Sequence, residues 1–303
     1  MLIDNIKSIG VVGAGQMGAG IAHVAAKAGY NVILTDISEA ALHRGLSSIR
    51  NSGIGSLQRK LQKGRISQED FDAKLTAITA ANESILQLIT GSTDMQSLAS
   101  TDLVIEAATE NVQLKKSIFE QLSKVTPDHV ILATNTSSIS ITAIASHTNR
   151  PDKVVGMHFM NPVPVMKLVE LIRGLATADE TYQTIEAVAQ KMGKTTVEGR
   201  DMPGFIVNRV LMPYINEAVQ ALYESIGSVE DIDTAMKLGT NVPMGPLTLA
   251  DFIGLDTCLA IMEVLHEGFG DSKYRPSPLL RKYVESGWLG KKSGRGFYDY
   301  TRK

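Results

Sequence analysis

The stretch from Ile6 to Asp36 constrains this chain more than any other. It contains, in order, an apolar strand pattern, a turn with glycines at positions 13, 15 and 18, a helix pattern, a second apolar strand and an acid. Gly13 permits a tight turn, Gly15 lets backbone approach a phosphate closely, and Gly18 lets the following helix pack on the sheet. Glycine-rich turns also occur in unrelated loops, but here all the flanking elements are in register. The stretch therefore predicts half of a dinucleotide-binding site.

The acid at the end of the second strand favours one type of dinucleotide. Asp36 lies eighteen residues after Gly18 and follows the apolar run Val32, Ile33 and Leu34. A carboxylate at this position accepts hydrogen bonds from a ribose 2′-hydroxyl and repels a 2′-phosphate. We therefore expect NAD rather than NADP. We expect these turn residues to contact it: Gly13, Gly15, Gln16, Met17 and Gly18.

Composition excludes several classes of function. The 303 residues are 44% apolar and 20% charged, and the formal net charge is -2. This balance provides no excess of positive charge that would attract nucleic acid or an anionic membrane. No apolar run approaches membrane-spanning length. Because the first strand pattern follows Met1 directly, we expect no leader. The single cysteine, Cys258, rules out an internal disulfide. We expect a cytoplasmic protein without a bound metal ion.

The order of patterns predicts two domains. Strand and helix patterns alternate over residues 1–200, which is typical of an α/β protein with a Rossmann-like doubly wound sheet. Strand patterns end at the glycine-rich stretch 199–204, and helical periodicity continues through residues 201–303. We therefore predict an all-helical C-terminal domain. The capping pattern from Ser228 to Asp231 begins one of its helices, and others follow Pro246 and Pro278.

A polar helical excursion interrupts the first domain at about residues 41–75. It is longer than a crossover helix needs, and its breaks near Gly53 and Gly64 suggest a helical hairpin over the cofactor site. Ser56 and Lys63 lie seven residues apart, on one helix face, where they could meet a ligand. A merely solvated basic helix, with Arg59 and Lys60 beside Lys63, explains the pattern equally well.

Polar residues follow the next strand patterns at the ends where ligands bind in doubly wound sheets. The strand Leu103 to Ile105 ends at Glu106, and Glu110 and Lys115 follow in a loop and a helix start. Another strand ends in small hydrogen-bonding residues, Thr134, Asn135, Thr136, Ser137 and Ser138. These residues either cap a helix or face the nicotinamide end of the cofactor.

One of the six histidines lies at this ligand edge. The strand from Val154 to Met157 leads to His158, and a second strand from Lys167 to Ile172 carries Glu170 back beside it. A histidine alone is more often a satisfied polar residue than a catalyst. A carboxylate bonded to one imidazole nitrogen fixes the tautomer and stabilises the imidazolium, which favours a general base. Ser137 and Asn208 could then hold the reacting oxygen, or they are a turn cap and a boundary asparagine.

At these residues the chain resembles the NAD-dependent 3-hydroxyacyl-CoA dehydrogenases, including the bacterial 3-hydroxybutyryl-CoA dehydrogenases. The resemblance covers essentially the whole chain and rests on its combination of motifs. These are the stretches 13–18, 135–138, 158–164, 203–209, 231–239, 243–246 and 294–298, together with Glu170.

The resemblance implies a role for each matched position. His158 matches the general base, Glu170 its partner, and Ser137 and Asn208 the residues that contact the substrate oxygen. Ser56 and Lys63 match positions associated with CoA. Positions associated with NAD are matched by Asp36, Glu110, Lys115, Asn135, Ser137, Asn161 and Lys292.

The family fold that this resemblance implies is a Rossmann-like domain followed by a helical domain through which two copies form a homodimer. The expected substrate is a short-chain acyl-CoA. A dehydrogenase of a sugar acid or another free 3-hydroxy acid, and a non-catalytic nucleotide-binding protein, stay open as alternatives. The segment 76–91 is longer than the corresponding segment expected for the family. The position of the edge strand and the placement of the hairpin therefore stay open.

Overall fold

The computed structural model describes residues 6–301 of the chain. Within it, the chain divides into two compact units, Met1–Asp201 and Met202–Lys303. The first unit contains every strand described for the sheet, and the second is built mainly of helices.

The first unit is built on an eight-stranded sheet in the order β3-β2-β1-β4-β5-β6-β7-β8. All neighbouring strands are parallel except β6 and β7, which are antiparallel. The central strands are buried apolar runs, as expected for a parallel sheet covered by helices. The strands are β1 Ser8–Val12, β2 Asn31–Thr35, β3 Ile89–Ser92, β4 Leu103–Glu106, β5 Ile131–Thr134, β6 Val154–Phe159, β7 Leu168–Arg173 and β8 Thr195–Arg200.

Helices connect the strands and continue into the second unit. Together with the strand order they confirm the predicted class, a Rossmann-like doubly wound sheet followed by an all-helical C-terminal region. The helices are α1 Gln16–Lys27, α2 Glu39–Arg50, α3 Ile54–Gln62, α4 Gln68–Leu86, α5 Val112–Val125, α6 Ile141–Ala145, α7 Asp179–Lys191, α8 Val207–Tyr223, α9 Val229–Gly239, α10 Pro246–Ile253, α11 Leu255–Phe269 and α12 Pro278–Glu285.

The helical excursion ends later than the predicted boundary near Leu75. Helices α2, α3 and α4 form it, and α4 continues to Leu86 before β3 pairs with β2 as the edge strand. The apolar positions of α4 keep helical spacing beyond Leu75, and Ile78 and Ile85 are only partly exposed. The buried side chain of Asn82 donates to the carbonyl oxygen of Arg50, the last residue of α2, and to that of Ser52 just beyond the helix. Residues 76–91 thus extend the last helix and supply the edge strand.

The pairing of β6 with β7 sets the position of the predicted catalytic histidine. In this antiparallel register His158 lies directly opposite Glu170. Side chains of directly opposed residues point to the same face of a sheet, so the register brings the two side chains together. The strand β6 reaches Phe159, so His158 lies inside the strand rather than just after it.

The second unit has its own apolar core. Helix α8 contributes Met212, Ile215 and Val219, and helix α11 contributes Cys258 and Met262. The prediction of a helix after Ser228 is confirmed, because the Ser228 hydroxyl accepts from the Asp231 N–H at 3.1 Å. Helix α11 has no such sequence signal, since its N-cap, Gly254, has no side chain.

Candidate active site

The glycine turn between β1 and α1 has the shape that a bound phosphate requires. Gly13 has φ +98, a backbone conformation that favours glycine. A Cβ at Gly18 would lie 1.7 Å from the carbonyl oxygen of Gly13, so a side chain there would force the turn apart. A Cβ at Gly15, in contrast, would have no heavy atom within 4 Å. The turn is therefore tight beneath Gly18 and open above Gly15, where a pyrophosphate would approach.

The start of α1 supplies the electrostatics for an anion. Gly15 is the N-cap and makes no side-chain cap, and the first turn, which lies within the described residues, carries no acidic side chain. The first N–H groups of a helix lack partners inside it, and the helix dipole adds positive potential there. Residues 15–18 thus fit the diphosphate of a dinucleotide.

Asp36 links the second strand to this turn. One of its carboxylate oxygens accepts from the Ala14 N–H at 2.8 Å, and the other accepts from the Ser38 N–H at 3.0 Å. The carboxylate is therefore held at the mouth of the turn by two backbone donors. This is the position from which an acid in a dinucleotide site meets the adenosine ribose.

A side-chain hydrogen bond joins the glycine turn to the turn after β6. The Gln16 Nε2 donates to the Asn161 Oδ1 at 3.0 Å, although the two residues are far apart in sequence. Both residues were predicted to contact the cofactor. Asn135 lies near the same segment, because its Oδ1 accepts from the Phe159 N–H, next to His158, at 2.9 Å.

His158 and Glu170 form a buried pair. The distance from His158 Nδ1 to Glu170 Oε2 is 2.7 Å, the Glu170 side chain is fully buried, and 9% of the His158 side chain is exposed. An ionised carboxylate only accepts hydrogen bonds, so Nδ1 carries the proton and Nε2 carries the lone pair. This arrangement orients the imidazole as a base and stabilises the cation that forms when Nε2 takes a proton.

Behind these residues, Glu106 and Lys115 form a buried ion pair. The Lys115 Nζ lies 2.7 Å from Glu106 Oε1, and both side chains are fully buried. Glu106 also accepts from the Thr134 hydroxyl and from the Ala108 N–H, each at 2.7 Å. Lys115, predicted as a cofactor contact, is thus placed inside the unit, where it balances the charge of Glu106. The sequence analysis did not predict this pair. Its signal in the sequence is an acid, Glu106, at the end of an apolar strand, followed nine residues later by Lys115.

Glu110 organises the loop that follows β5. Its Oε1 accepts from the hydroxyls of Thr136, Ser137 and Ser138 and from the Ser137 N–H, at distances from 2.7 to 3.1 Å. Although burial opposes the charge, Lys115 at 3.4 Å and these hydrogen bonds hold the pKa of Glu110 below its ordinary value. The ionised carboxylate fixes the position of Ser137, the predicted substrate contact.

The remaining predicted residues lie on helices. Ser56 is exposed within α3, and Lys63 is exposed at its C-cap. In the second unit, Asn208 is buried in the first turn of α8. Lys292, in the same unit, forms an ion pair of 2.6 Å with Asp256, and 48% of its side chain is exposed.

Comparisons with known proteins identify the family. The profile of the NAD-binding domain of 3-hydroxyacyl-CoA dehydrogenase matches residues 8–202, and the profile of the C-terminal domain of the same enzymes matches residues 204–300. The chain belongs to the 3-hydroxyacyl-CoA dehydrogenase family. The predictions of an oxidoreductase of this family and of NAD as its cofactor are confirmed. Among the described residues, no helix is both long and apolar enough to cross a membrane.

Three relatives illustrate the similarity. A probable 3-hydroxybutyryl-CoA dehydrogenase of Bacillus subtilis is 55% identical over 98% of this chain and 99% of its own length. The human mitochondrial hydroxyacyl-coenzyme A dehydrogenase is 44% identical over 97% of this chain and 91% of its own length. The crystal structure of the (S)-3-hydroxybutyryl-CoA dehydrogenase from Ralstonia eutropha matches with a TM-score of 0.86 at 49% identity, over 98% of this chain and 99% of that one.

Proposed function

We propose that this chain catalyses reversible hydride transfer between NAD(H) and carbon 3 of a short-chain 3-hydroxyacyl-CoA, with 3-hydroxybutyryl-CoA as the preferred substrate. The observation that carries the proposal is the buried His158–Glu170 pair, at 2.7 Å, on a sheet that also carries a glycine turn shaped for a dinucleotide. The short acyl chain is supported by relatives named 3-hydroxybutyryl-CoA dehydrogenase at 54% and 55% identity.

In the oxidation direction, His158 acts as the general base. Its Nε2 takes the proton of the substrate 3-hydroxyl while the hydrogen on carbon 3 leaves as hydride, so the C–O single bond becomes a carbonyl. Glu170 stabilises the resulting imidazolium through Nδ1. In the reduction direction the imidazolium returns the proton to the carbonyl oxygen. Proton transfer of this kind contributes about 10²- to 10⁴-fold to the rate.

Ser137 holds the reacting oxygen in this proposal, and the assignment of Asn208 stays a prediction from the sequence. Glu110 fixes both the N–H and the hydroxyl of Ser137, so the serine is positioned before substrate arrives. Fixing the serine in advance reduces the reorganisation that substrate binding requires, since only its hydroxyl proton must turn from Glu110 toward the reacting oxygen.

NAD, when bound, supplies the carbon that accepts or donates the hydride. The residues that hold it are those of the glycine turn, Asp36 at the ribose, and Asn135 and Asn161 near the end of β6. Glu110 completes the proposed contacts of the first unit, and the assignment of Lys292 stays a prediction from the sequence. Lys115 acts through Glu106 and Glu110 rather than by direct contact, because its side chain is fully buried.

The CoA portion is assigned to the hairpin. Ser56 and Lys63 are both exposed, and a lysine ammonium there can attract a CoA phosphate. We expect Lys63→Gln to raise the KM for acetoacetyl-CoA while kcat changes little, because the charge contributes to binding in ground state and transition state alike. Lys74→Gln, an exposed lysine on α4, is the matched control.

We also propose a cytoplasmic homodimer that forms through the second unit. That unit exposes large apolar side chains, among them Val210, Ile226 and Leu238, which a second copy could cover. Light scattering during size-exclusion chromatography should give twice the mass of the chain, whereas the mass of a single chain would contradict the dimer.

An NADH-depletion assay tests the function directly. We expect rapid NADH consumption with acetoacetyl-CoA, slower consumption with longer 3-ketoacyl-CoA thioesters, and little with NADPH. Free acetoacetate at the same concentration should react far more slowly, since it lacks the CoA that the hairpin binds. Equal rates with free acetoacetate would indicate a dehydrogenase of free 3-hydroxy acids, and no consumption with any 3-ketoacyl-CoA would indicate a non-catalytic nucleotide-binding protein.

A further inference from the structure

A cavity of about 370 Å³ in the first unit is lined by four lysines and one histidine, and we refer to it as the lysine cavity. His23 and Lys27 reach it from one face of α1, Lys191 and Lys194 from the end of α7 and the following turn, and Lys167 from the segment before β7. Its lining includes no residue of the glycine turn, of the His158–Glu170 pair or of the hairpin helices.

The positive charges of the lysine cavity are not neutralised by acids. No Asp or Glu lines it, and among the described residues no ion pair joins these four lysines to a carboxylate. Two of the five basic side chains that line the cavity are buried, since only 7% of His23 and 8% of Lys194 are exposed. Like charges gathered around one space raise its potential and favour an anion there.

The lowered pKa values of two buried groups, His23 and Lys194, also indicate a positive potential in the lysine cavity. Burial, and then Lys27 and Lys194, lower the pKa of the His23 imidazole. Burial, and then Lys27, lower the pKa of the Lys194 ammonium. The folded chain thus brings cations close enough together to disfavour one another, and a bound anion would relieve that repulsion.

Lys194 also links two segments of the cavity wall through hydrogen bonds. Its Nζ donates to the carbonyl oxygens of Val163 and Met166, the latter at 2.8 Å. These carbonyls belong to the segment that joins β6 to β7, so this wall is tied to the rest of the unit. A preformed wall lowers the entropic cost of binding a ligand.

We propose that the lysine cavity binds a small anion that carries a terminal diphosphate group, at a site separate from the cofactor and substrate. The cavity volume lies at the lower end of the range for small-molecule sites, which suits a compact ligand. Lysine ammonium groups bind phosphate oxygens as point charges, and several of them around one cavity match an anion with several charges. The proposal does not depend on the reaction that the chain catalyses.

Isothermal titration calorimetry of inorganic pyrophosphate into the full chain tests the proposal, with enough NADH present to fill the dinucleotide site. We expect saturable binding of one pyrophosphate per chain. The double variant Lys27→Gln/Lys191→Gln should weaken it by about tenfold or more, because two charges are removed from the cavity. Lys237→Gln/Lys282→Gln, which removes two exposed lysines of the second unit, should leave it unchanged.

Two further titrations define the ligand. Binding of ADP with similar affinity would identify the diphosphate of a nucleotide as the source, whereas binding of pyrophosphate alone would identify the inorganic anion. Sulfate, with less charge, should bind more weakly. Equal affinity for sulfate and pyrophosphate would overturn the assignment of a diphosphate, and equal pyrophosphate affinity in the two double variants would overturn the site.

A measurement on the unaltered chain keeps the proposal testable if the double variant does not fold. Mass spectrometry after brief acetylation with an N-hydroxysuccinimide ester reports how accessible each lysine is. We expect pyrophosphate to protect Lys27 and Lys191 but not Lys237 and Lys282. Equal modification of all four lysines with and without pyrophosphate would refute binding at the cavity.

Discussion

Two parts of the first unit are built in opposite ways. The glycine turn depends on the absence of side chains, since a Cβ at Gly18 would lie 1.7 Å from the carbonyl oxygen of Gly13. The pairs His158–Glu170 and Glu106–Lys115 work through charged or polar side chains that are buried and matched at 2.7 Å. The turn is sensitive to added volume, whereas the pairs are sensitive to a change of charge at constant shape.

This difference separates binding from chemistry. Backbone N–H groups at a helix start can hold a diphosphate but cannot exchange a proton with a substrate. A buried imidazole with a carboxylate partner can exchange a proton, but it needs a strand register that brings the two residues together. Substitutions in the glycine turn should therefore change stability or NADH affinity, whereas substitutions in the His158–Glu170 pair should change kcat.

Lys115→Met should have the largest effect on stability. It leaves the fully buried Glu106 without its counter-charge, which costs about 3–5 kcal/mol in the free energy of unfolding. Urea denaturation followed by circular dichroism measures this loss. Lys124→Met, on the same helix but in an exposed pair with Glu120, is the matched control and should unfold like the wild type.

The double variant Glu106→Leu/Lys115→Met checks the cause. Replacing both charges with apolar groups removes the unpaired carboxylate, so stability should recover by at least half of the loss. If the double variant is as unstable as Lys115→Met, packing rather than charge pairing explains the effect.

Gly18→Ala should destabilise the first unit by about 3 kcal/mol, because the new methyl group overlaps the Gly13 carbonyl and the backbone must move. Gly15→Ala places its methyl group in open space and should keep wild-type stability. Its NADH dissociation constant should rise instead, since the methyl group occupies the approach of the diphosphate. Equal stability of the two variants would contradict the steric difference between the two positions.

Glu170→Gln changes charge with almost no change in shape. We expect kcat with acetoacetyl-CoA to fall about 10²-fold, because the imidazolium loses its stabilising carboxylate, while the NADH dissociation constant stays near the wild-type value. Steady-state kinetics and fluorescence titration of NADH measure the two quantities. Glu198→Gln, an exposed position of β8, is the control, and a comparable loss of kcat there would remove the special role of Glu170.

Asp36→Ser should have the smallest effect. The ratio of kcat/KM for NADH to that for NADPH should fall about tenfold, since the serine no longer repels a 2′-phosphate. The two coenzymes are compared at a fixed concentration of acetoacetyl-CoA. An unchanged ratio would place the discrimination at another residue.

Features that are defined by residues close together in the chain could be predicted from the sequence. The glycine turn, the acid after β2 and the cap of α9 are each defined within about twenty residues, and the structure has the expected element at each place. The sequence also predicts that the strand carrying Glu170 returns beside His158, and the antiparallel pairing of β6 with β7 across residues 160–167 places the two residues opposite each other.

Features that depend on distant contacts were missed or misplaced. The sequence pattern predicts the end of the hairpin near Leu75, whereas α4 continues to Leu86 and its Asn82 amide donates to the last carbonyl oxygen of α2. The family resemblance assigns Lys115 to NAD, whereas the structure buries its side chain against Glu106. The burial of Lys115 depends on which side chains meet across the packed unit, and spacing along the chain does not report that. The length of α4, in contrast, is visible in the helical spacing of its apolar positions beyond Leu75.

The most direct test of the account compares NADH oxidation by the wild type and by His158→Gln with saturating acetoacetyl-CoA, after NADH binding to both has been measured. We predict that kcat falls about 10³-fold or more, within the range for loss of a general acid–base group, while NADH affinity changes less than about twofold. Full activity in His158→Gln with intact NADH binding would contradict the assignment of His158 as the residue that exchanges the proton.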